Sequence, residues 1–108
     1  MHRVADEAIP VQPSALMLTG NQIAAARRLS GIGTQKELSR LSGVSAPTIE
    51  RAERAKEEVP TIAIRQMQKL VQAFEEAGVE FFLVPGSSLN GGIGMRAKPA
   101  FKTERREA

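Results

Sequence analysis

Between residues 34 and 53 the chain sets two short helix signals around a single glycine: TQKELSRLSGVSAPTIERAE. Thr34 and Glu37 have the T-x-x-E spacing of a capping box, so a helix is expected to start there. Leu38 and Leu41, three apart, are its expected buried positions. Gly43 stops it after about two turns, because glycine takes the left-handed conformation that a sharp turn needs. Ser45 then caps a second helix. Pro47 lies in its first turn, where a missing N–H costs nothing. Ile49 and Ala52 face inward, and the helix is expected to reach Lys56 or slightly beyond.

The flanking sequence supplies a helix on either side. Thr19 and Gln22 form a T-x-x-Q capping box for a helix over residues 20–30. Ile23, Ala26 and Leu29 mark its core face, and Gly31 and Gly33 end it. Pro60 and Thr61 break the chain before a fourth helix over about residues 62–77. Its apolar stripe is Ala63, Met67, Leu70, Val71 and Phe74, with Ile64 beside it, and fits a 3.6-residue period. Gly78 stands where a C-terminal glycine belongs.

Beyond it, VEFFLV at 79–84 is a β-prone run and PGSSLNGG at 85–92 is rich in turn formers. Residues 93–96 are expected to return as a second strand, the alternative being a buried extended segment. Residues 1–17 hold two prolines and no lasting periodicity, and read as a flexible arm. The expected organisation is an arm over 1–17, a helical domain over 18–78, a strand or hairpin over 79–97 that would either serve as a dimerisation element or cover its own domain, and a basic tail over 98–108. The fold class is all-α, with four to five helices and a short C-terminal β-hairpin or extended segment.

Composition narrows the chemistry. The chain has no cysteine, so disulfides and thiolate zinc sites are excluded. Its one histidine, His2, cannot build a histidine metal cluster or serve an acyl-transfer triad. There is no P-loop and no H-E-x-x-H. The G-x-G at 31–33 and the GGIG at 91–94 lack the preceding strand of a dinucleotide loop. No enzyme activity, cofactor or metal is therefore expected. Four phenylalanines, with no tryptophan or tyrosine, argue against a base-stacking single-strand binder. No stretch approaches 18 continuous apolar residues, so no membrane span is expected. Nor is there the apolar core of a secretory signal, and a cytoplasmic, nucleoid-associated location is expected.

Charge is unevenly placed along the chain. Arg27, Arg28, Lys36, Arg40, Arg51, Arg54 and Lys56 face only Glu37, Glu50 and Glu53 in the same stretch. A second basic group, with Lys102, Arg105 and Arg106, closes the sequence, and acidic residues dominate between the two. A localised basic surface is what phosphate binding requires.

With its Gln35, Glu37, Leu38, Gly43, Val44, Ser45, Thr48, Ile49 and Glu53, the stretch 34–53 resembles the lambda-repressor-like (Cro/C1, XRE-type) helix-turn-helix regulators. AFEEAGVEFF at 73–82 resembles a bacterial subgroup of short regulators. The resemblance covers residues 18–96. One position departs from it. Family members often carry glycine two residues after that glutamate, where this chain has Ala55 followed by KEEVP.

The resemblance implies a lambda-repressor-like domain that binds double-stranded DNA and regulates transcription, typically as a repressor. Its partner would be a pseudo-palindromic operator bound by a homodimer. The third helix would lie in the major groove. Base contacts are then expected from Ala46, Pro47, Thr48 and above all Arg51, whose planar fork fits guanine O6 and N7. Phosphate contacts are expected from Gln35, Lys36, Arg40 and Arg54. Arg28 and Glu53 are matched to an internal salt bridge joining the first helix to the third.

A second reading is a protein-interaction module of antitoxin type, which binds a partner protein with or without DNA. The acidic stretch around the fourth helix, the apolar VEFFLV run and the donor-free side chains of Ala46 and Pro47 favour it.

Overall fold

Three of the helices begin at a side chain that takes up their first free N–H groups. The computed structural model describes residues 9–10, 16–83 and 93–98. Helix α1 (Gly20–Leu29) opens with a complete capping box. The Gln22 N–H donates to Thr19 Oγ1 at 3.1 Å, and the Thr19 N–H donates to Gln22 Oε1 at 3.0 Å. Helix α2 (Gln35–Ser42) has half of its expected box. Thr34 Oγ1 accepts from the Glu37 N–H at 3.0 Å, but the Glu37 carboxylate turns to Arg40 on the helix surface. Helix α3 (Ala46–Arg54) is capped by Ser45, whose Oγ accepts from the Thr48 N–H. Helix α4 (Ile64–Glu76) starts after Ala63 without a side-chain cap.

Gly43, at φ 80°, closes α2 in the left-handed region and leaves only Val44 and Ser45 before α3. Gly78, at φ 102°, does the same after α4 and turns the chain into a small sheet. Strands β1 (Ile9–Pro10), β2 (Val79–Leu83) and β3 (Ile93–Ala97) form an antiparallel sheet in the order β1-β2-β3. Ile9 stands opposite Leu83, and β2 runs against β3 from Val79↔Ala97 to Leu83↔Ile93. The protein is thus mostly helical with a small antiparallel sheet at one side.

One core joins the two parts. Ile23, Leu38, Ile49, Leu70, Val71 and Phe74 are fully buried and interlock the four helices. Val79 and Phe81 extend this core under the sheet, and the Phe81 ring lies 6.4 Å from that of Phe74. Leu16 and Leu18 close it ahead of α1.

Several expectations change. The stretch 1–17 was expected to be a flexible arm, yet Ile9–Pro10 pair with β2 and Leu16 is buried. Two residues are too few to show a strand period, so only the pairing reveals them. Leu29 and Leu41, expected inside, are 41% and 46% exposed. On α1 the buried stripe runs through Gly20, Ile23 and Arg27. At 3.6 residues per turn Leu29 falls on the opposite side. On α2 the inward side is set by Leu38 with Gln35 and Ser42 half-buried, and Leu41 again lies off it.

Helix α4 starts two residues later than expected. Ala63 is its exposed N-cap in extended backbone, and Ile64 is 60% exposed, whereas Ile62 packs against the core. Helix α3 stops at Arg54, short of Lys56. The turn formers at 85–92 and the tail beyond Lys98 lie outside the described residues.

Candidate nucleic-acid interface

Helix α3 has a buried and an open side. Ile49 and Ala52 are fully buried, while Pro47, Glu50, Arg51 and Arg54 are exposed and Ala46 is half-buried. Four of the expected contact residues, Ala46, Pro47, Arg51 and Arg54, therefore lie on accessible surface of one short helix. Thr48 does not. It is 8% exposed, and its Oγ1 accepts from the Ser45 hydroxyl at 2.8 Å. Its hydroxyl thus sits at the cap of α3, and little of the side chain reaches the accessible surface.

The orientation of α3 is held by a buried polar network. Arg27 Nε donates to Glu53 Oε2 at 2.8 Å and Arg27 Nη2 to Glu53 Oε1 at 3.1 Å, a bidentate pair between α1 and α3. Arg27 Nη1 donates to the Gly33 carbonyl at 3.1 Å. Gln35 Nε2, from the start of α2, donates to Glu53 Oε1 at 3.0 Å. Both charged side chains are only 10% exposed. Burial pushes the Glu53 carboxyl up. The hydrogen bonds from Arg27 and Gln35, the attraction of Arg27 and a smaller one from Arg28 outweigh it, so the carboxyl lies below its ordinary value. The hydrogen bond to Glu53 holds the Arg27 guanidinium above its ordinary value against its own burial.

This corrects the expected ion pair. Arg27 makes it, and Arg28 is exposed. Position along the helix decides: Arg27 lies four residues after Ile23 and seven after Gly20, in the buried stripe, and Arg28 lies one step outside it. A charged residue at a core position escapes a search for apolar periodicity, although its spacing was there to be read.

The expected phosphate residues fall into three situations. Gln35 is half-buried with one amide N–H on Glu53, leaving its second N–H and its carbonyl oxygen. Arg40 pairs with Glu37, and Arg54 with Glu50, both as exposed neighbours on one helix face. Lys36 and Arg51 are exposed and enter no ion pair among the described residues. Arg51 and Arg54 also border an open cleft of about 280 Å³ lined by Pro60, Thr61 and Ile62, just ahead of the uncapped start of α4.

Backbone contacts hold the same C-terminal end of α3 and the turn that follows it. The Gly20 N–H donates to the Glu58 carbonyl at 3.0 Å and the Asn21 N–H to the Lys56 carbonyl at 2.9 Å. A Cβ on Gly20 would stand 2.5 Å from the Ala52 oxygen and 2.6 Å from the Lys56 nitrogen. Only glycine allows so close an approach. Lys56 takes the left-handed region at φ 55°. The chain therefore leaves the helix at Ala55 without a glycine, because the carbonyls that follow turn back to satisfy the free N–H groups at the start of α1.

Among the described residues, no three or more His, Cys, Asp and Glu side chains are grouped so as to hold a metal ion. No described helix is long and apolar enough to cross a membrane. No protein-family model and no curated protein matches this chain.

Proposed function

We propose that the protein is a lambda-repressor-like helix-turn-helix regulator that binds double-stranded DNA sequence-specifically, reading the major groove with α3. One observation carries this reading. The exposed residues of α3 include an arginine, Arg51, that enters no ion pair among the described residues, and the helix that bears it is held at its C-terminal end, by the Arg27–Glu53–Gln35 network and by the backbone contacts of Gly20. Direct readout needs such a side chain on a helix that does not rock.

In this reading Arg51 pairs with a guanine edge. Ala46 and Pro47, which have no side-chain donors, pack against thymine methyls or sugar. Lys36, Arg40, Arg54 and the free amide groups of Gln35 lie against phosphates. The two surface ion pairs would open on binding at small cost, since exposed pairs contribute little. Two copies would read two half-sites of a pseudo-palindromic operator and repress transcription there.

The antitoxin-type reading loses one of its supports. Two residues of the apolar run at 79–84, Val79 and Phe81, are buried in the protein's own core.

Binding to mixed-sequence duplex DNA, titrated over salt concentration, tests the electrostatic part. Each phosphate neutralised contributes about −0.9 to the slope of log K against log salt. Lys36→Ala should make the slope shallower by about 1. Absence of binding at low salt would shift the reading to a protein partner.

A further inference from the structure

We infer that two copies of the chain join along β3, whose strands pair antiparallel about a two-fold axis at Met95. This deepens the dimer part of the reading above, and its test uses no DNA, so its failure leaves DNA binding standing.

The two edges of the sheet differ. On one side β1 offers two residues, one of them Pro10, which has no N–H to donate. On the other, β3 offers five residues without proline, and no strand lies beyond it among the described residues. The direction of its free groups follows from one bond. The Lys98 N–H donates to the Gly78 carbonyl at 2.7 Å, in register with the Val79↔Ala97 pair. Bonding direction alternates along a strand, so Gly94 and Arg96 also point their backbone groups at β2. Ile93, Met95 and Ala97 then point theirs out along the open edge.

Side chains favour the same seam. Met95 stands opposite the buried Phe81, on the core face of the sheet. Ile93 and Met95 pack against the core but remain half-buried, where the sheet stops short of covering them. A second copy across the edge would continue that layer, with Met95 beside Met95 and Ile93 beside Ala97 of the other chain.

Charge selects the register. With the axis at Met95, Arg96 stands opposite the other copy's Gly94, all five residues overlap, and about six main-chain hydrogen bonds form. A shift that centres the axis on Arg96 puts two arginines face to face, which destabilises a pair of strands. A shift to Gly94 shortens the overlap. Gly94 has no side chain to meet Arg96, and a Cβ there would lie 2.5 Å from the Phe82 ring. Arg96 itself is already drawn toward that outer face, 4.9 Å from the Phe82 ring centre and paired with Glu80 at 3.1 Å.

Because the chain has no cysteine, single substitutions report the seam. In this register the two Met95 Cα atoms lie about 5.5 Å apart, within disulfide reach. Residues 97 of the two copies lie about 14 Å apart, beyond it. The full-length chain should sediment as a dimer, and Met95→Cys should oxidise mainly to a covalent dimer. Ala97→Cys alone should not, but should cross-link when mixed with Ile93→Cys. Met95→Pro, which removes an N–H aimed away from β2, should weaken the dimer at least about tenfold with the helical signal unchanged. A monomer at high concentration would overturn the inference. So would a dimer in which Ala97→Cys alone cross-links as well as Met95→Cys, or one in which the mixed pair fails to cross-link.

Discussion

The guanidinium of Arg27 grips both carboxylate oxygens of Glu53 across the junction of α1 and α3, at 2.8 and 3.1 Å. Two helices that meet end to side are thereby keyed to each other, and Gln35 brings the start of α2 onto the same carboxylate. Removing Arg27 would leave a buried carboxylate uncompensated. Arg27→Met should therefore cost about 3–5 kcal/mol in urea unfolding, whereas Arg28→Met should stay within about 0.5 kcal/mol. Equal effects of the two substitutions would contradict the assignment of the pair to Arg27.

The same carboxylate predicts an acid limb of stability. Glu53 lies below its ordinary value in the folded chain, so the unfolded chain binds the proton more tightly. The stabilisation is fully present above the unfolded value of about 4.3 and is lost as pH falls through the lower folded value. Arg27, shifted upward, stays charged throughout this window. Unfolding free energy measured from neutral pH down to about 3 should fall more steeply for the natural sequence than for Glu53→Gln.

Close backbone packing at the start of α1 predicts an inverted glycine effect. In an open helix Gly→Ala is stabilising by about 1 kcal/mol. Gly20→Ala should instead destabilise by about 1–3 kcal/mol, because its Cβ meets backbone atoms of α3 and the loop after it. At Lys56 the sign reverses: Lys56→Gly should stabilise by about 0.5–1 kcal/mol by relieving a left-handed non-glycine residue. Thermal or urea unfolding of the two variants reads both.

Leu38 and Leu41 look alike in sequence, three apart on one short helix. Leu38 is fully buried and Leu41 is 46% exposed. Leu38→Ala should cost about 2–5 kcal/mol, and Leu41→Ala no more than about 0.5 kcal/mol.

Caps and turns were the most legible parts of the chain. Thr19, Thr34, Ser45, Gly43 and Gly78 act locally, so each start or stop they signal is met within a residue or two. What escaped depends on distant partners. The spacing from Gly20 and Ile23 pointed to Arg27 rather than Leu29, but a buried arginine is acceptable only once Glu53 is there to receive it. The pairing of Ile9–Pro10 with β2 likewise rests on residues far away in the sequence. Within the candidate interface, the exposure of Pro47, Arg51 and Arg54 followed from helical period. The inward turn of Thr48 did not, because it depends on the Ser45 hydroxyl reaching it.

The central claim, that α3 reads DNA sequence, is tested most directly by selecting bound sequences from a random duplex library at physiological salt. The account predicts enrichment of a two-fold symmetric site. It also predicts that Arg51→Ala relaxes the preference at one position of each half-site, where a bidentate arginine–guanine contact supplies about 1–3 kcal/mol of discrimination. Binding with no enriched sequence, or an enriched site that Arg51→Ala leaves unchanged, would contradict it.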